Sequence, residues 1–172
     1  RNWNMNFVQG DILDKELIKK YCHDVDIVHH LAGITDVPRV KSESSEDKNR
    51  LISRVAEEGT QNILDAIDNK CKIIMPSSHV VFEGVENVKM NISEDEKVNP
   101  VLSYGKSKAI NEEQLKRSGK NYIILRLGSV YGYSSDTARI DIMANYFAKT
   151  ASQDGTLTVS YTHLTLPTST HG

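Results

Sequence analysis

At 172 residues the chain has room for one α/β domain, or most of one, and not for two. Lys plus Arg number 21 against 23 Asp plus Glu, so the net charge is −2 and a general nucleic-acid binder, which needs a cationic surface, is disfavoured. No apolar run approaches the roughly 18 residues of a membrane span, and two cysteines without CxxC spacing, Cys22 and Cys71, indicate neither a disulfide framework nor a zinc site.

In chain order, short apolar runs alternate with longer amphipathic ones. A strand candidate at 6–8 follows Arg1 almost at once. A helix is expected over 14–21, with Leu17 and Ile18 on one face, and a strand over 26–31. Residues 37–47 are polar and charged and read as a solvent-facing loop or a ragged helix start. The next helix, 48–67, carries Leu51, Val55, Ile63, Leu64 and Ile67. Strand 72–76 precedes helix 103–118, which carries Ala109, Ile110 and Leu115 and has Gly119 as its stop. Strand 122–127, helix 140–151 (Ile142, Met143, Tyr146, Phe147) and strand 157–159 complete the pattern. The Thr-rich segment 160–172 has no amphipathic period and is expected to be an adaptor-derived, non-native tail.

Strand alternating with helix implies a parallel sheet built from right-handed crossovers. Dinucleotide-binding sheets of this kind carry a glycine-rich turn after their first strand. The ten glycines here form no GxGxxG or GxxGxxG. Either the fold binds no dinucleotide, or its first βαβ unit lies outside this sequence.

The most informative run is Tyr104-Gly-Lys-Ser-Lys108. Residues four apart share a helix face, so Lys108 stands one turn from Tyr104. A phenol with a pKa near 10 is a poor base at neutral pH, but a neighbouring ammonium favours the phenolate and makes it a usable acid/base. Ser77 and Ser78 follow the strand from Lys72, at the carboxyl edge where open α/β sheets hold ligands; Ser78 could donate to a substrate oxygen, or the serines merely satisfy loop backbone. The run Asp26 to Gly33 ends in Ala32 and Gly33, small enough for close approach to a ligand. His29 and His30 alternate across this strand and read as packed, hydrogen-bonded histidines; no metal site is indicated. Asp11 is equally suited to accept from an adenine amino group or to stabilise a turn.

The segments GDILD, DIVHHLAG, PSSHVVFEG, YGKSK and ILRLGSVYG occur in an order that resembles the extended short-chain dehydrogenase/reductase family, in its NAD-dependent epimerase/dehydratase branch. The resemblance runs from about residue 5 to residue 159. It implies a Rossmann-like α/β fold, a parallel sheet with helices on both faces, here incomplete at both ends: 1–159 a partial NAD(P)-binding domain, 160–172 the tail. It implies Tyr104, Lys108 and Ser78 as the catalytic group and Asp11, Ile12, Leu31, Ala32 and Gly33, with Tyr104 and Lys108, as cofactor contacts. Ser78 and Ser129 are then the substrate contacts, Ser129 standing where the family usually has Asn before VYG.

What the resemblance implies for function is a nucleotide-sugar epimerase using NAD, with NADP left open, in a cytoplasmic protein without nucleic-acid or membrane partners and compatible with a homodimeric parent. His79 and Val80 stand where the 4,6-dehydratases have Asp-Glu, which argues against dehydration. SSHVVFEG is also similar to STDYVFDG of the dTDP-4-dehydrorhamnose reductases, so a net reductase is the first alternative; a non-catalytic nucleotide sensor is the second. Ala56 departs from the Asn of the family's NVxGT, leaving Gly59 and Thr60. Lacking the glycine turn, the 172-residue chain alone is expected to bind NAD weakly, to be inactive, and to be poorly soluble.

Overall fold

A computed structural model of the chain describes residues 5–35, 45–84, 90–133 and 142–157. The tail at 160–172, residues 158–159 of the last strand candidate, 140–141 of the last helix candidate and most of the polar loop at 37–47 lie outside the described residues. The chain folds as two compact units that meet in sequence between Gly128 and Ser129.

In the first unit three strands, β1 (Ile27–His29), β2 (Lys72–Ser78) and β3 (Asn121–Leu127), form a parallel sheet in the order β1-β2-β3. Helix α1 (Lys15–Cys22) precedes β1, α2 (Glu46–Ala66) joins β1 to β2, and α3 (Ser103–Arg117) joins β2 to β3. This is the Rossmann-like crossover architecture expected from the alternation, with bounds shifted by a few residues at most elements. Local chemistry sets those bounds. Asp14 accepts from the Leu17 amide at 3.0 Å and Ser45 from the Lys48 amide at 3.2 Å, each supplying one of the donors' missing partners at a helix start. Gly119, at φ +67, ends α3 in the left-handed conformation that glycine adopts without strain.

The strand candidate at 6–8 is not a strand. Those residues are irregular, and the ladders of the sheet join only β1 to β2 and β2 to β3 among the described residues. Leu157 is irregular as well.

The core lies between the sheet and its helices. On β2, Ile73 and Met75 point into a cluster with Ile63, Leu64 and Ile67 beside α2 and Leu115 of α3. Ser77 lies on the same face, while Lys72, Ile74, Pro76 and Ser78 alternate to the other. On that other face Ile27, Ile123, Leu125 and Leu127 remain exposed.

Pro76 sits within the central strand, where proline normally costs a ladder bond. The register explains its tolerance. Pairing of β1 with β2 ends at His29 and Ile74, followed by one bond from the His30 amide to the Ile74 carbonyl. Backbone groups two residues apart on a strand point the same way, so Pro76 faces the side where β1 has already ended.

In the second unit, α4 (Met143–Ser152) follows the loop at 129–133, and Asn145 accepts from the Gly132 amide at 3.1 Å.

Candidate active site

Helix α3 opens against the turn that leaves β2. That turn, His79–Phe82, is a short 3₁₀ helix whose first amides are met by Ser78: its hydroxyl accepts from Val80 at 3.4 Å. Gly105 lies so close to it that a Cβ there would stand 3.0 Å from the Val80 carbonyl and 3.1 Å from the Pro100 side chain. A glycine at this position therefore lets the first turn of α3 rest on the serine-bearing loop.

Tyr104 and Lys108 occupy that first part of α3. The Lys108 ammonium lies 5.8 Å from the centroid of the Tyr104 ring and donates to the Pro76 carbonyl at 2.9 Å. Burial pushes the Lys108 pKa below its ordinary value. The structure thus brings Tyr104, Lys108 and the Pro76–Ser78 end of β2 into one neighbourhood at the carboxyl edge of the sheet. An ammonium held beside a phenol in a partly desolvated place favours the phenolate, which is the electrostatic condition for a tyrosine acid/base.

Alongside β1, a cavity of about 320 Å³ is lined by Asp11, Ile12, Leu31 and Ala32, together with Val8 and Gly10. Four of the five backbone-region cofactor contacts expected from the sequence therefore share one cavity; Gly33 does not line it, and a Cβ built there would meet nothing. Asp11 also stabilises its own turn, accepting from the Leu13 amide at 2.9 Å, and Asn62 of α2 donates to the Ile12 carbonyl at 3.0 Å. Ser129 belongs to the second unit, where it is exposed.

Of the two histidines read as packed, His30 is a core residue, 4% exposed, whereas His29 is exposed. The His30 Nε2 lies 2.8 Å from the Thr60 hydroxyl, which also accepts from Asn111 at 2.8 Å; Asn111 donates in turn to the Ala56 carbonyl. Burial first, and the Lys108 charge second, push the His30 pKa down to about 4. Among the described residues no group of three or more His, Cys, Asp or Glu could hold a metal ion, and no helix is long and apolar enough to cross a membrane.

Sequence reasoning missed Glu112. It is buried, accepts from the Ser77 hydroxyl at 2.6 Å, and binds Arg126 of β3 through both carboxylate oxygens at 3.0 and 2.7 Å. The signal was its place four residues after Lys108 and eight after Tyr104, on one helix face.

The profile of the RmlD substrate binding domain matches residues 2–172. The UDP-glucose 4-epimerase of Lactobacillus helveticus is 30% identical over 168 residues, covering 89% of this chain and 49% of that protein. UDP-glucuronic acid 4-epimerase from Bacillus cereus, solved in complex with UDP-glucuronic acid and NAD, superposes at a TM-score of 0.68 with 27% identity, over 92% of this chain and 49% of that one. UDP-glucose 4-epimerase from Brucella ovis, solved in complex with NAD, superposes at 0.60 with 30% identity, over 75% and 40%. The chain spans about half the length of the relatives it matches. Matched by one family profile along nearly its whole length, the chain belongs to the RmlD substrate binding domain family.

Proposed function

We propose that the protein carrying this chain is an NAD-dependent nucleotide-sugar epimerase that acts by transient hydride transfer through a keto-sugar. The observation that carries the reading is the Lys108 ammonium set beside Tyr104 at the end of the strand that bears Ser78. The cavity lined by Asp11, Ile12, Leu31 and Ala32 fits the adenosine end of a dinucleotide, being apolar along most of its wall with a carboxylate at its rim. NAD, when bound, supplies a site that takes a hydride from the sugar carbon and gives it back.

The chain's own residues then have distinct tasks. Tyr104, as phenolate, takes the proton of the sugar hydroxyl while the carbon loses its hydride. Lys108 keeps the phenol ionised and hydrogen-bonds the cofactor's ribose, leaving its Pro76 partner to do so. Ser78 donates to the reacting oxygen and holds it near Tyr104. When the ketone has turned to present its other face, Tyr104 returns the proton, so net redox change is zero. Ser129 and Gly33 complete the reading as substrate and cofactor contacts, and NADP is left open beside NAD. A cytoplasmic enzyme, compatible with homodimer formation, fits two free cysteines outside any disulfide.

The RmlD family match and the SSHVVFEG segment favour one second reading, a nucleotide-sugar reductase that uses the same residues and releases its oxidised cofactor. Sustained, stoichiometric NAD(P)H consumption with a keto-sugar supports the reductase; interconversion of sugar epimers without consumption supports the epimerase. The Tyr104–Lys108 pair weighs against a mere nucleotide sensor. Replacing Tyr104 by Phe in the whole protein is expected to lower turnover about 10²- to 10⁴-fold with NAD still bound. Full turnover by that variant overturns the catalytic assignment.

A further inference from the structure

We infer that Glu112 is a positioning residue which, through Ser77 and Arg126, locks the Ser78 turn in register with the Tyr104–Lys108 face of α3. The inference rests on the catalytic reading above.

Residues 104, 108 and 112 follow one another on successive turns of α3. Two of them hold consecutive residues of β2. Lys108 holds the Pro76 carbonyl at 2.9 Å, and Glu112 accepts from the Ser77 hydroxyl at 2.6 Å. Ser78 is the next residue and, by strand alternation, turns to the opposite face. Arg126 secures the far side of the same turn. While its Nε and Nη2 bind Glu112, its Nη1 donates to the Glu94 carbonyl at 2.7 Å and its guanidinium carbon lies 5.1 Å from the centroid of the Phe82 ring, at the end of the 79–82 turn.

Glu112 is 2% exposed, a place where a carboxylate costs more than an apolar side chain of the same volume would. Burial pushes its pKa up, but the hydrogen bonds from Arg126 and Ser77 outweigh this and hold it below the usual range, so the group is ionised. Apolar side chains of similar volume often replace a buried ion pair with no loss of stability. They would not fix β2 to α3 at hydrogen-bond precision one residue from Ser78, and register is the best-attested use of a buried ion pair.

The test uses Ser77→Ala, which removes one hydroxyl and leaves the Glu112–Arg126 pair in place. In the 172-residue chain, hydrogen exchange is expected to quicken about tenfold at the Val80 and Glu83 amides, both bonded within the turn, while the Ile67 amide at the end of α2 is unchanged. In the whole protein kcat is expected to fall about tenfold with KM and NAD binding unchanged. Uniform quickening at all three amides, or none, shows a merely structural role and overturns the inference. Parental kcat in Ser77→Ala, alongside an inactive Tyr104→Phe, also overturns it and leaves the catalytic reading standing. An active Tyr104→Phe overturns the catalytic reading, and the exchange pattern still decides whether Glu112 locks the turn.

Discussion

The Lys108 ammonium and the Pro76 carbonyl are hydrogen-bonded at 2.9 Å, across the gap left where β1 ends and β2 continues. The proline gives up a donor where no ladder partner stands, and its carbonyl becomes the anchor for a lysine one turn from Tyr104. The lysine gains that bond but loses water, and burial lowers its pKa. At neutral pH the two effects oppose each other.

Lys108→Met is therefore expected to change unfolding free energy by no more than about 1 kcal/mol at pH 7, measured in urea, although it removes the positive charge beside the Tyr104 ring. The pH dependence has a definite sign. A lysine whose folded pKa is depressed adds stability that is present above its unfolded value of 10.5 and lost as pH falls through the lowered value. The parent should therefore gain stability relative to Lys108→Met as the pH approaches 10.5. A loss above about 2 kcal/mol at pH 7 would make Lys108 a structural residue first.

His30 provides a second titration. Its pKa falls from 6.5 to about 4, so the folded chain resists the imidazolium by roughly 3 kcal/mol. That stability is present above pH 6.5 and is lost as pH falls from 6.5 through about 4. The Thr60 hydroxyl bonded to the ring and the Lys108 charge supply no negative charge to an imidazolium. Unfolding free energies at pH 7 and pH 4 are expected to differ by about 3 kcal/mol more in the parent than in His30→Gln. Parallel losses in both would show that His30 titrates freely in the fold.

The ion pair of Glu112 with Arg126 tests the balance between charge and packing. Glu112→Gln leaves a guanidinium, 15% exposed at its side chain, facing a neutral amide, and is expected to cost about 3 kcal/mol in urea unfolding. Glu112→Leu combined with Arg126→Met removes both charges and is expected to recover most of that loss. If the double variant were as unstable as the single one, the pair would be a stabiliser in its own right.

Much of this was legible in the sequence. Strands 26–31, 72–76 and 122–127 and all four helices announced themselves through periodicity, because a central parallel strand and an amphipathic crossover each impose their own spacing. The segment at 6–8 had the same apolar look without becoming a strand. Composition reports what a segment can bury, whereas a ladder needs a neighbour with the right edge. At the site, Tyr104 and Lys108 could be paired by their spacing of four on one helix. Glu112 escaped notice because its partners, Ser77 and Arg126, come from β2 and β3, and only the register of Ser77 opposite Arg126 brings them to one carboxylate. The unusual proline escaped for the same reason: its place past the end of β1 is a property of three segments together.

Gly59 connects the core to the cavity beside β1 and allows a last measurement. It is buried in the middle of α2, where alanine would gain about 1 kcal/mol in helix propensity. Its absent Cβ would stand 2.9, 3.1 and 3.2 Å from three carbons of Ile12, which lines the cavity beside Asp11. Ile12 is β-branched and stiff, so it cannot yield by a simple rotation, and overpacking of this kind costs about 1–3 kcal/mol. The clash outweighs the propensity gain, and Gly59→Ala is expected to lower stability by about 1 kcal/mol. Displacement of Ile12 should also weaken NAD binding by the whole protein, about threefold or more on calorimetric titration. Greater stability with unchanged NAD affinity would mean that Ile12 moves freely and is no fixed cofactor contact.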